Sequence, residues 1–409
     1  MIVCGKTFLA QFCEDYKKLS KDEIPFIKYP SKCNLDLSSI NSISTFSHYS
    51  VIVYKDGSAF GIGCNKYGQI HSSLPKETLT ELTPIKIVDS QNKPFKIISA
   101  SCYDHRTLYL ISDDKGKNKL FSSSFCHASE FIENGDSNPI AIYNSAAINV
   151  DGSITLIYRD GYIKARRYLL PNDKAIKVAN GYSAYFALGS KGNVYRLEYY
   201  QCEQNEFKRE QGIIEEIVDI DGKNDICLAV SKRGTVYGCG QYANYQLGID
   251  INIARMNPGL IKYFMQIDNL LEINVKAAFA GDQHSIFISD QNDAYCVGTN
   301  NDQLMLYNSN ISKTYLPIKI EFSNVTFCIA DAFSTILFIG NCSPKHSPNR
   351  KTTDIYNHHD DAFSEFTILP LNKRMINSKE MEIKELQKEI QQRQSRIDQL
   401  LNEIDELKK

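Results

Sequence analysis

The chain has 409 residues, of which 43% are hydrophobic and 23% are charged, and its net charge is −2. This is an ordinary soluble composition without the excess of Lys and Arg that phosphate contacts need, so nucleic-acid binding is not expected. The apolar runs at 106–112 and 334–339 are too short to span a membrane, and the N-terminus lacks the segments of a signal peptide, so we expect a cytoplasmic or nuclear protein that is not secreted.

A phrase recurs along the chain, as HYSVIVYKDGSAFGIGCNKYGQI at 48–70, DICLAVSKRGTVYGCGQYANYQLG at 225–248 and QHSIFISDQNDAYCVGTNNDQLM at 283–305. A repeat of a few tens of residues with strand-like content is typical of a solenoid or propeller. Each unit predicts four strands, and a two-residue turn such as Asp56-Gly57 or Lys191-Gly192 predicts a hairpin between the second and third strands. Aligning the second strands predicts seven units, which start at Ser47, Cys102, Tyr143, Gly181, Gly222, Gly281 and Asp331.

The two ends of the repeat region complement each other. The seventh unit stops after its second strand, near Gly340, whereas IVCGKTFLAQF at the start of the chain reads as the third strand and loop of a unit. Gly5 precedes Gln11 by the interval that separates Gly63 from Gln69. We therefore predict that the N-terminal strand completes the last blade and closes the ring, which removes its exposed edges.

The pattern DGxVYxxGxNxxGQLG, preceded by GxxHS and followed by PxxI, resembles the regulator of chromosome condensation repeats, and 56–70, 234–248 and 281–285 match it best. The resemblance covers residues 1–340 and implies an all-β fold, a seven-bladed β-propeller closed between its N- and C-terminal strands. The chain departs from the pattern in having no Trp, and units three and four lack the GQLG loop. The segment SITLIYRDGYIKARRY in unit three therefore predicts a bare hairpin.

Two insertions, at about 71–94 and 249–274, predict long loops, which are where rigid scaffolds usually bind partners. The second carries a mixture of residue types that is enriched in interface cores. The alternative is that half of these residues pack the outer strand of blade five. The candidate partner residues in this loop are Arg255, Met256, Tyr263 and Phe264.

After Gly340 the composition changes. Residues 341–378 predict a flexible linker, in which Ser347 begins a Ser-Pro-Asn-Arg motif of the kind that proline-directed kinases phosphorylate. Residues 379–409 carry a heptad repeat that predicts a C-terminal coiled-coil helix and a homodimer, and the alternative is an amphipathic helix docked on its own propeller. The residues of the predicted seam are Ile383, Leu386, Ile390, Ile397, Leu400, Ile404 and Leu407.

No residue set predicts catalysis, a cofactor or a metal site. His105 and His284 occupy the same place in their repeats, where other units carry Ser, Ala or Asp, so both are interpreted as structural. His358 to Asp361 form a short polar cluster in the linker, where metal binding would be adventitious. The cysteines include no CxxC pair, and Cys227, Cys239, Cys296 and Cys328 lie in apolar strand patterns, which predicts buried, reduced thiols.

These features favour a non-catalytic protein–protein interaction scaffold that presents propeller loops to protein partners and is doubled by its coiled coil. The resemblance implies an alternative, guanine nucleotide exchange on a Ran-type small GTPase. In that family the activity depends on one propeller face and on a wedge that protrudes from an early blade. Units three and four are the shortest and carry no such insertion, which places exchange second.

Overall fold

The computed structural model describes residues 2–6, 26–32, 35, 38–103, 106–124, 127–132, 138–160, 162–181, 183–199, 206–224, 226–249, 260–300, 312–331 and 334–340. These residues form 28 strands in seven four-stranded antiparallel sheets, with one 3-10 turn at Asp268–Leu270. The chain divides into two units, Met1–Asn357 and His358–Lys409, and the second lies outside the described residues. No helix among the described residues is long and apolar enough to cross a membrane.

The sheets follow one another along the chain, and each is a blade. Strands β1 (Ile2–Lys6) and β2 (Phe26–Lys32) come first. Blade 1 contains β3 (Ile40–Phe46), β4 (Tyr49–Tyr54), β5 (Ala59–Cys64) and β6 (Thr78–Ile85). Blade 2 contains β7 (Lys96–Tyr103), β8 (Arg106–Ser112), β9 (Asn118–Ser124) and β10 (His127–Ile132). Blade 3 contains β11 (Pro139–Tyr143), β12 (Ala146–Asn149), β13 (Ile154–Asp160) and β14 (Tyr162–Tyr168).

The later blades keep the same order. Blade 4 contains β15 (Ala175–Gly181), β16 (Ala184–Gly189), β17 (Val194–Glu198) and β18 (Lys208–Arg209). Blade 5 contains β19 (Ile217–Lys223), β20 (Ile226–Ser231), β21 (Val236–Gln241) and β22 (Leu260–Gln266). Blade 6 contains β23 (Val275–Ala280), β24 (His284–Ser289), β25 (Ala294–Thr299) and β26 (Lys313–Lys319), and blade 7 starts with β27 (Val325–Ala330) and β28 (Ser334–Ile339).

Blade 7 is completed by the start of the chain, because its strand order is β2-β1-β28-β27. Strand β1 pairs antiparallel with β28 from Ile2 opposite Leu337 to Gly5 opposite Ser334. Gly5 thus occupies the position that Gly63 holds opposite Tyr49 in blade 1. The predicted seven-bladed, all-β propeller and its closure between the terminal strands are confirmed.

In five blades the turn between the second and third strands also joins the blade to the next one. Gly57 and Gly192 have φ values of +92° and +75°, a conformation that glycine adopts without steric cost. The carbonyl of Gly57 accepts a hydrogen bond from the N–H of Ile97 at 3.1 Å, where the first strand of blade 2 begins. Bonds of the same kind link Gly152 to Ala175, Gly192 to Ile217, Gly234 to Val275 and Asn292 to Val325.

The first strand of every blade contains a register shift at its second or third residue, and the extra residue bends the strand locally. The shifts occur in all seven blades at the same place relative to the second strand. The repeat is therefore preserved in backbone geometry even where its side chains differ. The extra residues are Asn41, Ile98, Ile140, Ile176, Val218, Lys276 and Thr326.

The hydrophobic core lies between neighbouring blades. One cluster joins Ile286 and Ile288 of blade 6 to Phe327 and Phe338 of blade 7, with further residues from blade 1. The four cysteines predicted to be buried are at most 3% exposed, as expected for a thiol that behaves as a small hydrophobe.

The bare hairpin predicted in unit three is present, since β13 and β14 pair up to Asp160 opposite Tyr162. Blade 2 also lacks the long loop, because Ser124 pairs with His127, which the repeat pattern did not predict. The predicted long loops need correction, because part of each is an outer strand, β6 in the first and β22 in the second. The linker, the seam of the coiled coil, Arg255, Met256, Ser347 and His105 lie outside the described residues.

Candidate functional site

Blades 1 and 5 carry loops that correspond to GQLG in the repeat pattern, GQIH at 68–71 and YQLG at 245–248. In blade 1, Asn65 is fully buried, and its Oδ1 accepts the N–H groups of Ile70 and His71 at 2.9 and 3.2 Å. Its Nδ2 donates to the carbonyls of His71 and Pro75 at 3.1 and 3.0 Å. One amide side chain therefore holds the whole loop in a single conformation.

Each of these loops is also bonded to the following blade. Thr107 of blade 2 donates to the carbonyl of Gln69 at 2.8 Å, and Ser285 of blade 6 donates to the carbonyl of Gln246 at 2.7 Å. The aliphatic residue after the glutamine, Ile70 in blade 1 and Leu247 in blade 5, is fully buried. The loop thus fills the groove between two blades with one aliphatic side chain.

Glycines in the third strand make room for that side chain. A Cβ on Gly61 would lie 2.3 Å from Ile70, and a Cβ on Gly238 would lie 3.1 Å from Leu247. Among its described residues, blade 4 has neither glycine. In β17 of blade 4, Arg196 and Glu198 stand at the positions that Gly238 and Gly240 hold in blade 5. Arg196 pairs with Phe186 as Gly238 pairs with Leu228. Glu198 pairs with Ala184 as Gly240 pairs with Ile226.

Between blades 4 and 5 the described residues line a cavity of about 290 Å³. We call it the blade 4–5 cleft. Residues of β16, β17, β21 and β22 form its walls. Its apolar lining is Phe186, Cys239, Leu260 and Ile261, and its charged lining is Arg196, Glu198 and Lys262.

Arg196 is the central side chain of the cleft and is only 11% exposed. Its Nε donates to Glu198 Oε1 at 2.8 Å, and its Nη1 donates to the carbonyl of Lys262. The guanidinium carbon lies 5.5 Å from the ring centre of Phe186 and 5.7 Å from that of Tyr263, within the range of cation–π attraction. Arg196 is therefore held rigidly between two aromatic rings.

The described residues of the predicted partner loop fall on opposite sides of β22. Tyr263 is 56% exposed, covers Arg196 and has Lys262 Nζ 5.4 Å from its ring centre. Phe264 is 3% exposed and packs edge to face on Phe186 at 5.2 Å. Phe264 therefore stabilises the contact between blades 4 and 5 and is not available to a partner, whereas Tyr263 is.

A second charged group lies where the first strands end. Lys223 of blade 5 forms an ion pair with Asp331 of blade 7, and Thr45 of blade 1 donates to the other oxygen of Asp331 at 3.3 Å. Burial lowers the pKa of Lys223, but attraction by Asp331 and neighbouring aspartates outweighs burial and raises the pKa above its ordinary value. Lys223 therefore stays charged, and its ion pair with Asp331, together with Thr45, links three blades.

Several titratable side chains inside the ring are buried, and burial shifts their pKa values. Burial raises the pKa of the Cys102 and Cys296 thiols to about 12, which keeps both protonated and poorly nucleophilic. Among the described residues, no three His, Cys, Asp or Glu side chains are grouped to hold a metal ion. Burial lowers the pKa of His284 to about 4, and its Nε2 lies 2.8 Å from Thr335 Oγ1. This histidine is buried and hydrogen-bonded between blades 6 and 7.

Comparison with known proteins supports the fold. Residues 233–288 match the Regulator of chromosome condensation (RCC1) repeat. Human WBSCR16 has a TM-score of 0.63 at 14% identity, over 82% of this chain and 97% of that one. Prp20p from Saccharomyces cerevisiae, described with its binding properties to Gsp1p and histones, has a TM-score of 0.62 at 14% identity. The match covers 82% of this chain and 90% of that one.

Yeast RCC1 (Prp20) bound to Kap60 gives a TM-score of 0.62 at 15% identity, over 88% of this chain and 92% of that one. Identities this low show a shared fold, and each function must be argued from its site. No curated protein matches the chain by sequence.

Proposed function

We propose that this chain is a non-catalytic scaffold for protein–protein interaction. It carries a regulator of chromosome condensation repeat and folds as the propeller of that type. The propeller binds a protein partner at the blade 4–5 cleft, and the C-terminal heptads pair two copies of the chain. The scaffold acts in the cytoplasm or nucleus. Such a scaffold needs no catalytic residues of its own.

One observation carries the proposal, namely the exposed Tyr263, whose ring centre lies 5.7 Å from the guanidinium carbon of the mostly buried Arg196 at the edge of the cleft. Tyr and Arg are the residue types that most often dominate binding energy at interfaces, especially next to a pocket. Because Arg196 is already fixed by Glu198 and the Lys262 carbonyl, little side-chain entropy is lost when a partner covers it. A rigid, closed ring of seven blades holds this surface in place.

Affinity capture from native extract tests the proposal, using the full chain beside its Tyr263→Ala variant. We expect protein partners whose recovery falls at least tenfold with the variant, since truncating a central interface tyrosine typically costs about 2 kcal/mol or more. Leu316→Ala is the matched control, because Leu316 is 53% exposed on the outer strand of blade 6. Equal recovery by all three proteins would contradict binding at this edge.

The alternative function is guanine nucleotide exchange on a Ran-type small GTPase. It is favoured by the likeness in fold to Prp20p, whose described partners include Gsp1p. It is disfavoured by blades 2 and 3, where the third and fourth strands join in bare hairpins without a protruding wedge. Stopped-flow release of fluorescent GDP from a Ran-type GTPase decides between them. If the chain accelerates GDP release at a concentration well below that of the GTPase, nucleotide exchange is its function.

A further inference from the structure

We infer that β14, the outer strand of blade 3, is a second binding surface, which takes an acidic, extended segment of a partner protein as a fifth strand of its sheet. This inference goes beyond the blade 4–5 cleft and rests on the proposed function only in that the ligand is a protein. In such complexes main-chain hydrogen bonds supply affinity, and side chains at alternate positions supply specificity.

The first argument is the regularity of β14. It pairs with β13 at seven consecutive positions, from Asp160 opposite Tyr162 to Ile154 opposite Tyr168, without a register shift. The outer strands of blades 1, 2, 5, 6 and 7 pair through a register shift, and that of blade 4 has two residues. A shift bends a strand and interrupts the row of N–H and C=O groups along its edge. Among the described outer strands, β14 alone therefore offers a long, continuous edge.

The sequence explains this regular ladder. In blades 1, 5 and 6 the shift lies beside a third-strand glycine, and Gly63, Gly240 and Gly298 have φ values of +100°, +114° and +109°. Leu156 holds the same position in β13, because each of these residues pairs with the first residue of the second strand. Leucine does not adopt such a φ without strain, so the ladder of blade 3 continues past this point.

The strand is held on both faces. Tyr168 is 5% exposed in the core between blades 3 and 4 and packs edge to face on Phe207 at 5.9 Å. Ala165 packs on the core between blades 2 and 3. β14 is the last strand in the order β11-β12-β13-β14, and no further strand among the described residues pairs with it. Because the edge is already fixed in an extended conformation, adding a strand costs it little conformational entropy.

Charge indicates which segment fits, because an added strand would lie opposite β14 residue by residue. The seven residues of β14 include three basic and no acidic residues. Arg167 is engaged with Asp151, whereas Lys164 and Arg166 lie opposite Tyr158 and Leu156, so β13 places no carboxylate directly across from them. Residues two apart share one face of a strand, and opposite charges on facing strands stabilise the pair. The added strand therefore carries Asp or Glu at alternate positions.

A second copy of the chain fits this edge less well. Two β14 strands paired antiparallel about Ala165 would place Lys164 of each strand opposite Arg166 of the other. Like charges directly opposite each other are destabilising, and basic residues on an edge strand are a common protection against self-pairing. The occupant that fits is therefore an acidic segment of a different protein.

The test begins with a selection of short random peptides displayed on phage, with the full chain as bait and its Lys164→Glu variant as the counter-selection. We expect the enriched peptides to share Asp or Glu at alternate positions. Their Kd, measured by fluorescence polarisation, should weaken about fivefold with Lys164→Glu, since an opposite-charge pair becomes a like-charge pair. Lys208→Glu, on the exposed outer strand of blade 4, is the matched control and should leave the Kd unchanged.

Strand addition is distinguished from side-chain binding by the backbone of the peptide. N-methylation at every second residue removes either the N–H groups that face β14 or those that face solvent. One of the two methylated peptides should bind at least about tenfold more weakly, because it loses several main-chain hydrogen bonds, and the other should bind as before. In the full chain, the unmodified peptide should slow hydrogen–deuterium exchange at residues 162–168.

Equal effects of the two methylated peptides, a selection without enrichment of acidic peptides, or equal binding to Lys164→Glu and wild type would overturn the inference. So would slow exchange of every amide of residues 162–168 in the chain alone, because the edge would then be covered already. Thermal unfolding shows whether both variants are folded. If Lys164→Glu is unfolded, the two methylated peptides decide on the wild-type chain.

The outcomes separate this inference from the proposed function. Loss of protein partners with Tyr263→Ala, but no peptide on β14, leaves the scaffold standing and removes the added strand. Protein partners that are recovered equally with Tyr263→Ala but lost with Lys164→Glu would do the reverse, because they would place the partner on blade 3 and not at the blade 4–5 cleft.

Discussion

Lys223 and Asp331 are charged side chains buried at the meeting point of three blades, with 13% and 1% of their side chains exposed. Replacing Lys223 by Met leaves the Asp331 carboxylate buried without its cation. We expect the free energy of unfolding, measured in urea, to fall by about 3–5 kcal/mol. The double variant Lys223→Met/Asp331→Leu should recover most of this loss, because it removes both charges.

The matched control is the exposed pair Lys232–Glu216, whose side chains are 66% and 56% exposed. Lys232→Met should cost less than about 1 kcal/mol, because water and salt screen an exposed pair. A loss at Lys223 no larger than the loss at Lys232 would show that the buried pair does not hold the blades together.

His284 and His71 predict a pH dependence of stability. Burial lowers the pKa of each to about 4 in the folded chain, against about 6.5 when unfolded. Unfolding therefore takes up protons between these values, so their contribution is complete above about pH 6.5 and is lost as the pH falls toward 4. At pH 5 each buried histidine should lower the free energy of unfolding by about 2 kcal/mol relative to neutral pH, because it takes up a proton when the chain unfolds.

The difference between wild type and His284→Asn isolates one histidine, because other titrating groups are common to both proteins. Urea unfolding at about pH 7.5 and about pH 5 should show the smaller pH effect in the variant, by about 2 kcal/mol. An equal pH effect in both proteins would mean that His284 is protonated in the fold.

At the scale of elements, the loop of blade 1 depends on one side chain. Asn65→Ala leaves two buried N–H groups and two carbonyls without their partners, so we expect a loss of about 3 kcal/mol in unfolding free energy. Asn118→Ala is the control, since it removes a single bond to the carbonyl of Pro139 and should cost about 1 kcal/mol. Equal losses would contradict the central role of Asn65.

The strands and turns could be predicted where they repeat along the chain or contain a glycine with a special backbone conformation. The turn at Asp56-Gly57 and the strand around Gly5 could be recognised because only a few residue types suit those conformations. The orientation of Phe264 could not be predicted from the sequence. A shift of one residue in the register of β22 would exchange the faces on which Tyr263 and Phe264 lie. The cleft was equally hidden, because it depends on Arg196, which stands in a register position that a glycine holds in blade 5.

At the scale of the whole molecule, the heptads predict a dimer. Light scattering of the full chain should give twice the mass of one chain, and Leu400→Asp should give a single chain, because a charge at position d of the seam is costly. Ser395→Asp is the control, since residue 395 lies at position f, away from the seam. A monomeric wild type would refute the dimer and leave the propeller unaffected.

The central claim is that a closed propeller binds its partner at the blade 4–5 cleft. Hydrogen–deuterium exchange of the full chain, alone and with the captured partner, tests it most directly. The account predicts slower exchange with partner at residues 183–198 and 239–266, which contain the walls of the blade 4–5 cleft. Unchanged exchange there, with protection confined to other blades, would contradict it.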